Sequence, residues 1–319
     1  MKYKIKDFGK IITGTTPSTK NKEYYNESKY MFVGPTDLKG IRLIMSSEKY
    51  ISECAMNDFS NRQLNKDDIV VDCIGSDMGD VAVITQKCMT NQQINAITNI
   101  NNNIVLPLYL YYLLSTKKSF FHLIGSNGST MPIISKSLFE NIEFDIHELP
   151  IQQHIVDTIG TVDNLIENYE LQIARFKLFS DSVYKQYCEK ENELSVLNLG
   201  DCCEIKTGKL NANEGSENGI YPFFTCSQTE SNIDNFAFDT KAIIIAGNGD
   251  ISVKYYEGKF NAYQRTYVLT PTKYLCLFLK ECENNISELK SASRGSVIKF
   301  ITKDMLCKIK IKIFDNAEI

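Results

Sequence analysis

The chain has 319 residues, of which 43% are hydrophobic and 23% charged, with a formal net charge of −4. Two domains suit that length better than one, the composition excludes a disordered tail, and no apolar run approaches the ~20 residues that span a bilayer. The acidic balance gives no global sign of a nucleic-acid binder, so a basic binding face has to be local.

In chain order, the basic start Met1-Lys2-Tyr3-Lys4-Ile5-Lys6 has no signal-type apolar core behind it, so a cytoplasmic location is expected. Phe8-Gly9 leads to Thr13-Gly14. Ile69-Val70-Val71-Asp72-Cys73-Ile74 reads as a strand ending in the turn Gly75 to Gly79, ahead of Gly79-Asp80-Val81-Ala82-Val83. A short helix is expected from Pro107 to Phe121. Gly128-Ser129-Thr130-Met131-Pro132-Ile133-Ile134-Ser135-Lys136-Ser137-Leu138 then runs into Ile142-Glu143-Phe144-Asp145-Ile146, whose alternation predicts a half-buried strand.

After Pro150 glycine nearly disappears. Ile155, Ile159, Val162, Ile166, Tyr169, Ile173 and Phe176 recur at spacings of three and four, and Val183 and Tyr187 continue the series. This is a heptad seam, and a 40-residue helix carrying it would be ~60 Å long. So narrow a stripe on so long a helix calls for a partner helix; the competing reading is a helix packed on its own domain.

Beyond the helix the earlier motifs return in order. Leu199-Gly200 leads to Thr207-Gly208, and Ala242-Ile243-Ile244-Ile245-Ala246 ends at Gly247 and Gly249, ahead of Ile251-Ser252-Val253. Gly295-Ser296-Val297-Ile298-Lys299-Phe300-Ile301-Thr302-Lys303-Asp304-Met305 runs into Ile309-Lys310-Ile311-Lys312-Ile313. Two copies of one strand-rich domain are therefore expected, at 1–150 and 193–319, joined by a coiled-coil-type spacer helix at 151–192, an α+β fold. The repeat stops near Ile319, where an equivalent second helix would start, so a truncated chain whose bare seam pairs with another chain is expected.

The ten cysteines include no CxxC pair, Cys202 and Cys203 are adjacent, and the only histidines are His122, His147 and His154. Neither a metal site nor a disulfide framework is expected, but reduced thiols packed as small hydrophobes. Catalytic motifs are missing too. The seven prolines never occur in pairs, Gly247-Asn248-Gly249 is a fragment of a nucleotide-binding pattern with Ser252 in place of its third glycine, and Glu204-Ile205-Lys206 near Asp201 is a common triplet.

Two strand-rich domains around a long helix resemble the specificity subunit of type I restriction–modification systems. Gly14-Thr15-Thr16-Pro17-Ser18 with Tyr24-Tyr25-Asn26 is similar to the opening of a target-recognition domain, and Asn91-Gln92-Gln93-Ile94-Asn95-Ala96-Ile97 to its middle motif. Gly219-Ile220-Tyr221-Pro222-Phe223-Phe224-Thr225, Tyr256-Glu257-Gly258-Lys259-Phe260 and Tyr263-Gln264-Arg265-Thr266-Tyr267 resemble a common variant in the second copy. The resemblance implies a non-catalytic subunit whose two domains each read half of a split DNA site. It implies helices that set the gap, and methyltransferase and restriction subunits as partners. No cofactor is implied in this chain; S-adenosylmethionine, ATP and magnesium belong to the partner subunits. A homodimer, or a second-helix chain, joined through 151–190 is the further expectation. The alternatives are a helix-based scaffold protein and an inactive partial allele.

Specific reading needs phosphate anchors and base-edge contacts. Thr15, Thr16, Ser18, Thr19, Lys20 and Lys22, and in the second copy Lys206, Thr207, Lys209 and Asn211, are candidate anchors, against the reading of solvated turns. Amides and arginine match purine edges, which nominates Gln92, Gln93 and Asn95, then Asn248, Gln264 and Arg265 with Tyr263 and Tyr267 nearby. For Gln93 and Gln264 the competing reading is a buried amide that satisfies loop backbone. Arg294 with Ser296 and Lys299, mirrored by Ser126, Asn127 and Ser129, is a further candidate phosphate patch.

Overall fold

The computed structural model describes residues 2–75, 78–126, 132–190, 194–227, 231–249, 251–271, 275–292 and 300–314. The chain is α+β, with two strand-rich units, Met1–Phe176 and Lys177–Ile319, divided within one helix of 42 residues, Leu149–Lys190.

In the first unit a five-stranded sheet runs in the order Lys10–Thr13, Ile94–Thr98, Ile69–Asp72, Val81–Ile84, Leu43–Ile44. Its central strand is buried along its whole length and apolar from Ile69 to Val71, because both faces are covered. Ile69 and Val71 join the core built on the helices Pro107–Ser115 and Lys118–Gly125, while Val70 joins a second core with Met31, Val33 and Ile94. A continuous apolar run is the pattern that two-sided burial requires. The single helix expected from Pro107 to Phe121 is two helices, broken at Thr116 and Lys117. Thr116 turns its hydroxyl back onto the Leu113 carbonyl at 2.8 Å, and the break lets Phe121 enter the core at full burial. The alternating segment forms the strand Glu143–Asp145, which pairs antiparallel with Lys2–Lys4 and closes the unit on itself.

The second unit is built alike. Its six-stranded sheet runs Glu204–Thr207, Thr266–Thr270, Phe238–Ala246, Val253–Ala262, Tyr221–Phe224, Ser231–Ile233. Ile243 and Ile245 point into the core capped by the helix Leu275–Ala292, and Ala242 and Ile244 point into another with Phe260 and Val268. Leu194–Asn198 pairs antiparallel with Lys310–Phe314, the counterpart of the first unit's closure. The strand ladders also correct the repeat. Val81 lies opposite Val71, and Val253 opposite Ile245, so the equivalent of Val81 is Val253 and not Ile251. Gly79 and Gly249 therefore occupy different places in the two turns, and Asp250 lies outside the described residues.

All ten cysteines are free. Burial pushes the Cys73 and Cys203 thiols up to about 12, so they pack as inert small hydrophobes. Among the described residues no three His, Cys, Asp or Glu side chains are placed to hold a metal ion, and no helix is long and apolar enough to cross a membrane.

Candidate nucleic-acid interface

Two glycines build the candidate loops, because at each the backbone passes too close to a neighbour for any side chain. A Cβ on Gly14 would stand 2.0 Å from the Asn91 carbonyl oxygen, and one on Gly208 would stand 1.8 Å from that of Ala262. The close approach lets Gly14 N–H donate to the Ile94 carbonyl (3.0 Å) and Thr15 N–H to that of Thr90 (2.9 Å). Gly208 N–H donates to the Thr266 carbonyl at 3.2 Å. In each unit the loop after the first sheet strand is thereby laid against the turn that carries the candidate amides.

In the first unit Thr16 donates its hydroxyl proton to Gln92 Oε1 at 2.6 Å, linking an anchor candidate to a base-reading candidate. Ser18, Thr19 and Lys20 are exposed on the same loop, and so is Gln92. Gln93 is half-buried, with its Oε1 accepting from Asn91 Nδ2 at 2.9 Å. The loop rests on Arg62, which sequence reasoning missed, and on Tyr25, which it quoted in the opening motif without a role. Arg62 Nη1 donates to the Thr13 carbonyl (2.9 Å), and the Tyr25 hydroxyl donates to that of Pro17 (2.7 Å). Arg62 carries no spacing signal, since it comes from a different segment of the chain.

In the second unit Gln264 N–H donates to the Leu210 carbonyl at 2.9 Å, and its side-chain amide reaches Asn211 Oδ1 at 3.4 Å. Lys206, Thr207 and Lys209 line a groove of about 790 Å³ together with Lys303. Lys303 was legible only as part of the repeated Ser/Thr-Lys pair, not as a site. Lys206 is matched with Glu204 at 2.9 Å, so its charge is partly offset, and Asn211 is bound to Glu214 through its own N–H at 2.6 Å.

A third turn meets each pair of loops. Cys73 N–H donates to the Gln93 carbonyl (2.9 Å) while Cys73 O accepts from Ile134 N–H (2.8 Å); Gly247 N–H donates to the Arg265 carbonyl (2.9 Å) while Gly247 O accepts from Ile301 N–H (2.6 Å). Gln93 and Arg265 thus hold equivalent places. Arg265 is exposed, and its guanidinium has no hydrogen-bond or ion-pair partner among the described residues. Asn248 sits beside it, its side-chain oxygen buried without a hydrogen-bond partner among the described residues.

Two candidates are corrected to structural posts. Asn95 is 2% exposed in its strand and accepts the Thr13 hydroxyl proton at 2.7 Å, so it cannot present an amide to a base edge. Tyr267 is 9% exposed and donates its hydroxyl proton to the Ile301 carbonyl at 3.0 Å, tying sheet to loop. Both strands are covered on their two faces, so neither position leaves a side chain in solvent. Arg294, with Ser296, Lys299, Asn127 and Ser129, lies outside the described residues.

The seam is placed with one correction. Ile155 packs half-buried against the first unit's core, with Val156 beside it. Ile159, Val162, Ile166, Tyr169, Ile173 and Phe176 are exposed, from 42% at Ile159 to 70% at Phe176. The helix does pack on its own unit, but by another face. Gln152 is fully buried, donating to the Ile104 and His147 carbonyls (2.9 and 2.8 Å) and accepting from Leu106 N–H (2.9 Å).

A family model described as the type I restriction modification DNA specificity domain matches twice, over residues 1–175 and 191–314. The chain is 44% identical over 127 residues to the type I restriction enzyme EcoDI specificity subunit of Escherichia coli, covering 39% of this chain and 28% of that protein. To the MjaIX specificity subunit of Methanocaldococcus jannaschii it is 27% identical over a 349-residue alignment, covering 96% of this chain and 77% of that protein. The crystal structure of a type I restriction-modification system S subunit from M. genitalium shares the fold with a TM-score of 0.74 at 18% identity, covering 98% of this chain and 84% of that one.

Proposed function

Because this chain belongs to the type I restriction modification DNA specificity family, a family of recognition subunits rather than enzymes, we propose that its two domains each read one half of a split DNA site and direct methyltransferase and restriction subunits to it. The observation that supports this most is the duplication of the loop arrangement. Each unit lays a Gly-hydroxyl-lysine loop against an amide-bearing turn through matching backbone bonds, one pinned at Gly14, the other at Gly208. Polar hydroxyls and lysines suit phosphate contacts, and Gln92, Gln264 and Arg265 suit base edges. The exposed seam from Ile159 to Phe176 suits a second helix, from another copy of this chain or from a separate chain, and the paired helices set the gap between half-sites. S-adenosylmethionine, ATP and magnesium act on the partner subunits, in the cytoplasm.

The test is methylome sequencing of cells that express this chain with its companion methyltransferase subunit. A bipartite methylated motif that depends on this chain is the expected result, and it gives both half-sites and the gap. Methylation that is unchanged by the chain's presence would overturn the reading.

A further inference from the structure

The apolar seam is not the only stripe on the long helix. Gln152, Val156, Gly160, Asp163 and Glu167 recur at spacings of four and three, roughly a third of a turn around the helix from the seam. Apart from Val156 this second stripe is polar or glycine, and the first domain holds it, with Ile155 and Val156 packed on the core between its two ends. At its start Gln152 is buried among backbone carbonyls. At its end Arg42 reaches in from the sheet, with a side chain 7% exposed. Arg42 Nε and Nη2 grip both oxygens of Glu167 at 2.8 Å each, and Nη2 also donates to Asn164 Oδ1 at 2.6 Å. The Tyr112 hydroxyl donates to Asp163 Oδ2 at 2.7 Å and lies 3.4 Å from Arg42 Nη1. Arg42 is itself fixed, since its carbonyl accepts Val83 N–H from the sheet at 2.9 Å.

One attachment point would let the helix swivel; two, about 20 Å apart along its axis, define its direction and its rotation about that axis. A forked guanidinium on a carboxylate adds an angular preference that a lysine cannot supply. We infer that Arg42, through Glu167 and Asn164, is a positioning residue that sets the angle at which the first domain leaves the spacer helix, and hence the gap length that the chain accepts between half-sites. This rests on the proposed reading of split DNA sites. One base pair turns the duplex by about 35°, so a modest rotation of a domain shifts the accepted gap.

The test uses the complete chain with its methyltransferase subunit. Glu167→Ala takes the carboxylate from Arg42 and leaves the first domain's apolar core untouched; Arg42→Lys keeps the charge without the fork. Both are expected to methylate the same half-site sequences, with at least a roughly tenfold loss at the wild-type gap or the appearance of a second gap. The charge-reversed pair Arg42→Glu with Glu167→Arg is expected to recover part of that loss. Hydrogen exchange over residues 156–170 should rise roughly tenfold in Glu167→Ala. Unchanged gap and rate in both single variants would overturn the inference, whether or not exchange rises. Should the wild-type chain itself produce no bipartite motif, the proposed function fails first and takes this inference with it.

Discussion

At the scale of single residues, the candidate site divides between groups that face solvent and groups that hold the loops. Arg265 is the clearest of the first kind, since only its backbone is engaged. Arg265→Ala is expected to weaken specific binding by about 1–3 kcal/mol and to relax one position of the site; equal loss on every sequence, measured by competition with mismatched duplexes, would make it a phosphate contact instead. Among the buried charges, Asp68 has a pH signature. Burial raises its carboxyl from 3.8 to about 6, against the opposing pull of the Asn65 and Asn99 backbone N–H groups. The folded chain keeps a proton that the unfolded chain has released, so this contribution is full below about 3.8 and declines as pH rises to about 6. Asp68→Asn should remove that decline. Urea midpoints of the two proteins should diverge in the variant's favour between pH 4 and 7, and a constant difference would count against it.

At the scale of elements, the long helix was legible from its heptad and its docking was not. Hydrophobic periodicity marks an apolar face, whereas the first domain holds the helix by Ile155 and Val156 and, beyond them, by an amide and two carboxylates that no such period marks. Gly160 lies in that docking face, and a Cβ there would meet only the Tyr112 hydroxyl oxygen at an ordinary 3.5 Å. Gly160→Ala should therefore raise stability by about 0.5–1 kcal/mol through the lost backbone freedom of glycine. A fall in the thermal midpoint would show that the helix cannot accept a methyl against Tyr112. The break at Thr116 and Lys117 has a similar lesson. Pro107 to Phe121 reads as one helical stretch, and the burial of Phe121 goes with its bend.

At the scale of the whole molecule, the exposed seam is the feature that calls for assembly. Ile166 and Tyr169 are 50% and 56% exposed, so replacing either by glutamate should change folding stability by no more than about 0.5 kcal/mol. The same changes should abolish association through the helix. Light scattering at micromolar concentration should find the wild type associated and Tyr169→Glu monomeric; a monomeric wild type would remove the dimer from the proposal. Much of this was open to the sequence alone. Two copies of one domain, the helix between them and the paired glycine loops follow from order and period, because repeats and heptads are linear patterns, and the family was open through the resemblance of its motifs. Tertiary structure alone decided that Asn95 and Tyr267 face inward, that Val253 and not Ile251 matches Val81, and that Arg42 meets Glu167. The first two depend on which strands pair and in what register, and the third on how the helix docks beside the sheet; each joins residues far apart in the chain that carry no mark of one another.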